Sequence, residues 1–299
     1  KTASKVIAVL GMLGIAFAFY FQASNSADRG KNLHTKATQF EQLVPYFNLE
    51  WAKDSTWDSS SIEEAVYAAT DSVDGKLQNF TTTYLTQKVV FNNQFHVKST
   101  DLTRNDLYEV MELTEIKTTP TKPYPSNYQT NCSIIRINPF MLHKFMASAQ
   151  EPEGNTFKEI DLNNGILQMT YHSHRDGEAT GEFTFGRNLL LEDQLMYSLR
   201  SLKFATGISF KCNVLESQAN GKVGKLQAYR TQFSVSDVAA IKVADASYNC
   251  WKVSVQLGAE GKVNEYYFQK EYPNLCVKRT TWDNRNLELK TVSKLIPTS

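Results

Sequence analysis

Alternation of apolar and polar side chains with a period of two is the dominant signal in this chain, and it is clearest from Ser247 to Thr291. Trp251, Val253, Val255 and Leu257 fall on one face of an extended segment, and Tyr248, Cys250, Lys252, Ser254 and Gln256 on the other. That is the pattern of a sheet with one dry and one wet side. Gly258 and Gly261, then Tyr272-Pro273-Asn274, then Asp283-Asn284 supply turn chemistry at the required intervals, so a meander of four short antiparallel strands is predicted.

The same pattern runs upstream to Leu77. Strands are expected over Phe80–Leu85, Lys88–Thr100, Arg104–Lys117, Cys132–Ile137, Ile166–Arg175, Glu182–Phe185, Gln194–Arg200, Thr206–Glu216 and Lys225–Val235, which are rich in Thr, Val, Tyr and Phe at sheet spacing. Thr118–Tyr128 holds three prolines and is excluded from a central strand; it reads as an exposed loop or a recognised arm. Helical signals are few. Lys36–Phe47 is loosely periodic but broken by Pro45, Ser61-x-x-Glu64 resembles a capping box, and Asn138-Pro139 opens a helix-like composition over Phe140–Gln150. The predicted fold class is therefore mainly β: a strongly curved antiparallel sheet forming a barrel or half-barrel, with a few short helices near the N-terminus. A sandwich would show the same strand spacing.

The first residues carry a different message. Lys1 and Lys5 precede an apolar run, Val6–Phe21, followed by the small polar stretch Gln22–Ala27. This is the layout of a secretory signal, with cleavage expected after Ser26. An uncleaved anchor is the rival, although the run is shorter than the ~20 residues of a comfortable membrane span. The expected organisation is a signal peptide over 1–26, a helical region over 27–75 and a curved β domain over 76–299, in a periplasmic or otherwise exported protein.

Charge narrows the partners. The whole chain carries a formal +1, two of its lysines lie in the leader, and the rest is −1, so nucleic acid is not an expected partner. Cys132, Cys212, Cys250 and Cys276 allow two disulfides or four free thiols. In a simple meander Cys250 and Cys276 sit two strand spacings apart, ~10 Å, too far to bond directly. Their spacing suggests no metal site. His172 and His174, two apart on one strand, would share a face, but that face is wet and no third ligand is identifiable, so no metal is expected. Trp51 and Trp57 are expected to pack against the sheet rather than form a surface platform. No nucleophile–base pair or carboxylate pair can be placed, so the expectation is a non-enzymatic protein without a cofactor.

The segments EIDLNNGILQMTYHSHRDGEATGEFTF, LEDQLMYSLRSLKFATGISFKCNVLE, YNCWKVSVQL, NEYYFQKEYPNLCVKRT and LELKTV, in order across residues 77 to 296, resemble exported bacterial proteins grouped as domain of unknown function 3108. The resemblance implies an envelope protein with a curved sheet comparable with the half-barrels of lipoprotein and lipid carriers, and it transfers no catalytic residue. Two functions are expected to compete. In the first, Phe183, Phe185, Phe210 and Trp251 line a dry pocket that holds a lipid, glycolipid-like or other apolar ligand. In the second, the core is filled and the protein serves a structural role with an envelope protein partner.

Overall fold

The computed structural model describes residues 41–296, apart from 74, 164–165, 187–188, 225 and 259–260; the expected signal peptide lies outside the described residues. Two compact units divide between residues 42 and 43, and all of the following concerns the second.

Sixteen strands form one sheet. In chain order they are β1 (Ile62–Val73), β2 (Lys76–Asn92), β3 (Val97–Lys98), β4 (Leu107–Thr119), β5 (Ser126–Ile135), β6 (Leu142–Glu151), β7 (Gly154–Asn163), β8 (Ile166–Ser173), β9 (Thr180–Gly186), β10 (Leu189–Leu191), β11 (Ser209–Leu215), β12 (Ala228–Val243), β13 (Ala246–Leu257), β14 (Val263–Gln269), β15 (Cys276–Thr280) and β16 (Asn286–Leu295). Their spatial order is 10-11-12-13-14-15-16-1-2-4-5-6-7-8-9, with β3 a short branch on β2. Neighbours pair antiparallel except β10 with β11. The two ends of this path, β9 and β10, are consecutive in sequence, and the step from Gly186 to Leu189 spans at most ~11 Å. The sheet must therefore curl until its edges nearly meet. The mainly β, strongly curved sheet expected from the alternation is observed, and of the barrel, half-barrel and sandwich it takes the form of a nearly closed barrel.

Residues directly opposite in paired strands share a face, so the register traces the interior. One row runs Glu63, Thr86, Leu113, Cys132, Phe145, Ile160, Met169, Phe183 from β1 to β9. A parallel row nearer the other end runs Tyr67, Thr82, Lys117, Tyr128, Ala149, Thr156, Ser173 from β1 to β8. The first is mostly apolar and the second mostly polar, so the barrel has an apolar end and a polar end.

The segment after β10 fills the apolar end. It forms a 3-10 turn (Glu192–Gln194), a single-turn helix α1 (Leu195–Ser198) and another 3-10 turn (Leu199–Ser201). Leu195, Met196, Tyr197 and Leu199 are all buried, the signature of a helix surrounded by protein. Gln194 donates from Nε2 to the Phe140 carbonyl at 3.1 Å, and the Arg200 guanidinium donates to both oxygens of Glu63 on β1 at 2.7 and 2.9 Å. Glu192 accepts from Asn264 on β14 at 3.3 Å. Only a segment inside the sheet can reach both arcs. Trp51 and Trp57, buried as expected, flank Arg200 with their rings 5.2 and 5.6 Å from its guanidinium carbon.

Several expectations are corrected. Ser61-x-x-Glu64 opens no helix: Glu63, Ala65, Tyr67 and Ala69 are buried in alternation along β1, which is paired on both sides. The region over 27–75 is thus not helical throughout, its described part being three 3-10 turns between Val44 and Trp57 followed by β1. Phe140–Gln150 is mostly strand β6, held by β5 and β7. Gln194–Arg200 is helical rather than strand. The proline stretch narrows to a hairpin loop, 120–125, between β4 and β5. Cys250 is buried although it shares the phase of Lys252; beside it, the register with β12 shifts between Val238 and Ile241. All four cysteines are free, with β14 between Cys250 and Cys276.

Candidate functional site

A cavity of about 700 Å³ occupies the polar end. Its walls come from β1, β2, β4 and β5, from the turn after β6, from Glu192 and Asp193, from the 216–226 loop and from Arg279, Asp283 and Arg285. Strand phase explains why charged side chains face inward: Glu115 and Lys117 alternate with Glu112, Thr114 and Ile116 on β4, and Arg279 pairs with inward-facing Tyr266 on one side and Leu287 on the other.

Most of these charges are spoken for within the protein. Glu192 accepts from Arg285 Nη2 at 2.7 Å, and Arg285 Nε donates to Asp283 at 2.7 Å. Asp193 accepts from Ser217 Oγ at 2.6 Å and from the Gln218 N–H at 2.8 Å, while burial pushes its carboxyl up to about 6. Glu151 accepts from Tyr128 Oη at 2.8 Å and from Arg175. Lys117 pairs with Asp71 at 3.4 Å.

One loop crosses the interior to complete the wall. Thr156 donates to the Gly221 carbonyl at 2.9 Å, and the Gly221 N–H donates to Glu151 at 3.3 Å. Lys158, 1% exposed, donates from Nζ to Gln218 Oε1 at 3.3 Å and Asn220 Oδ1 at 3.2 Å. Desolvation lowers this ammonium to about 8, because neutral oxygens replace only part of its hydration. The loop between β11 and β12 is thereby tied to β6 and β7 on the far arc.

Arg279 is different. Its Nε donates to the Arg285 carbonyl at 3.3 Å, and among the described residues no carboxylate lies within ion-pair distance of its guanidinium. Burial opposes its charge, yet nearby Tyr84 and Tyr266 help to raise its pKa above the ordinary arginine value. Glu115, also on the cavity wall, accepts a long bond from Thr82, 3.4 Å, and lies against the Tyr84 hydroxyl, whose pKa it helps to raise after burial. Among the described residues the Nη groups of Arg279 have no hydrogen-bond partner, and a guanidinium presented to a cavity in this way can grip a planar or tetrahedral anion.

The aromatic residues expected to line a pocket are not brought together. Phe183 and Phe185 are half-buried on β9, their rings 6.5 Å apart and Phe183 5.8 Å from Tyr171. Phe210 is in the packed core against Tyr46, Phe47 and Phe233 at 4.9, 5.7 and 4.7 Å. Trp251 stacks on Phe204 at 6.0 Å under Lys270. None of the four lines the cavity. His172 on β8 and His174 just after it are exposed and line a second cavity of about 350 Å³. Missed in the sequence were Arg279, Lys158, Asp193 and Arg285; the available signal was a charged residue in phase with the buried set of its strand, as Lys158 is with Thr156 and Ile160.

No protein-family model matches the chain, and no curated protein or solved structure matches it.

Proposed function

We propose that this is an exported envelope protein of non-enzymatic type that binds a polar ligand carrying an anionic group, held inside the polar end of the barrel on Arg279. The observation that carries this reading is a roomy cavity whose wall presents an arginine with no carboxylate partner among the described residues. Burying unpaired polar groups is costly, and a ligand anion would supply the missing acceptors. The expected glycolipid-like ligand narrows to its head group: the apolar end is occupied by Leu195, Met196, Tyr197 and Leu199, which leaves an acyl chain nowhere to go alongside it. Export rests on the N-terminal pattern and on the resemblance stated above.

Calorimetry with matched sugars tests this. Glucose 6-phosphate and glucuronate are expected to bind where glucose does not, and Arg279→Gln is expected to abolish the heat. Equal binding of neutral and anionic members would sink the idea. The filled apolar end also favours a second reading, a structural envelope protein acting through its outer surface; it gains if no anion in such a series binds.

A further inference from the structure

Away from the barrel interior, three residues distant in sequence converge: His96 in the turn between β2 and β3, His143 on β6 and Asp161 on β7. One ligand atom from each lies within 4.8 Å of the others. We propose that they form a binding site for a first-row divalent cation, with zinc the best-suited occupant.

The spacing is that of ligands around such an ion. His96 Nδ1 stands 3.0 Å from both carboxylate oxygens of Asp161. Two ligands about 2.1 Å from one metal at angles of 90–109° are about 3.0–3.4 Å apart, so this pair is already set. The His96 and His143 rings are 4.6 Å apart between centroids, inclined at 66°, and a modest side-chain rotation closes the widest gap. Two imidazoles and a carboxylate leave room for water and suit zinc, and also iron or nickel.

The surroundings orient these groups. Tyr108 Oη is hydrogen-bonded to His143 Nε2, and among the described residues His143 Nδ1 has no such bond, so it is the nitrogen available to a metal. An oxygen on the second ring nitrogen is the usual support of a metal-bound histidine, fixing tautomer and ring plane. Phe91 and Tyr108 pack edge-on against His143, at 6.4 and 5.1 Å. Asp161 and the residue after His143, Lys144, are register partners in adjacent strands, so two ligands ride on a rigid sheet. His96 has φ +53°, uncommon for a residue with a Cβ; the turn holds it through its N–H bond to the Asn92 carbonyl at 3.1 Å. Entry is open, since the His96 and Asp161 side chains are 23% and 31% exposed. The bland alternative is a histidine–aspartate hydrogen bond with a packed second ring.

Zinc titration of the full chain, stripped with EDTA, decides between them. One equivalent is expected to bind, and cobalt in its place is expected to give the visible absorption of a low-coordinate nitrogen–oxygen site. Asp161→Asn and His96→Asn, the latter keeping a residue that accepts positive φ, should each weaken zinc binding more than about 100-fold, and Tyr108→Phe about 10-fold. Melting temperature in EDTA identifies variants that fold, and zinc should raise it for the parent chain alone. The site is refuted if the parent binds no zinc, if both folded ligand variants bind it as the parent does, or if binding is lost only on replacing His172 and His174.

Discussion

The two ends of the barrel are built by the same strands, yet they do opposite things with their inward positions. At one end Leu113, Cys132, Phe145, Ile160 and Met169 form an inward row that is buried throughout. At the other, four residues along the same strands, the inward row is Lys117, Tyr128, Thr156 and Ser173, and Lys117 and Tyr128 face the large cavity. Hydrophobic burial and close packing stabilise the first. The second sacrifices that stabilisation, and a large polar space is kept in folded proteins chiefly where something binds.

The sharpest way to break this contrast is truncation. Phe145→Ala, at a fully buried apolar-end site, should lower stability by about 3–5 kcal/mol, whereas Tyr128→Phe at the polar end should cost about 1 kcal/mol; urea unfolding measures both, and equal losses would erase the distinction. Next comes the ion pair set in the apolar end. Glu63→Gln leaves Arg200 buried without its counter-charge, and a loss of about 3 kcal/mol is expected. A loss below 1 kcal/mol would mean that the pair is solvated.

Asp193 gives a pH signature. Its folded carboxyl sits at about 6, above the ordinary 3.8, so the folded state holds an extra proton between those values and its contribution to stability falls as pH rises from about 4 to above 6. Asp193→Asn should remove that fall, on the order of 2–3 kcal/mol, seen as the difference between parent and variant denaturation midpoints at pH 4 and pH 7. An identical pH profile for the two chains would contradict the burial. The smallest effect is expected at Arg279, where Arg279→Gln should change stability by no more than about 0.5 kcal/mol, since its Nη groups hold nothing in the fold; a large loss would make it a structural residue.

Much of this architecture was legible in the alternation. From Ser247 onward the strands β13 to β16 and their turns fall where the pattern put them, with Gly258, Gly261, Asn274 and Asn284 at positive φ. Where the pattern misled, pairing on both sides overrode local preference: Ala65, Ala68 and Ala69 favour a helix in isolation, but β16 and β2 supply two ladders of partners. Gln194–Arg200 failed in the other direction, because an apolar run buried on all sides has no period to distinguish helix from strand. The candidate site was largely illegible. Aromatic residues draw attention by size, yet Phe210 is core; Arg279 and Lys158 read as surface charges until the register turns them inward. His96, His143 and Asp161 could not be joined without knowing that β2, β6 and β7 bring them to one place.

The most direct test is the Arg279 Nε–Hε resonance in a nitrogen–proton NMR spectrum, followed as ligands are added. A polar anion site requires that a sugar phosphate or uronate move this peak saturably, while the neutral apolar probe N-phenyl-1-naphthylamine leaves it in place. Saturable binding of the apolar probe, with the Arg279 peak unmoved by every anion, would contradict it.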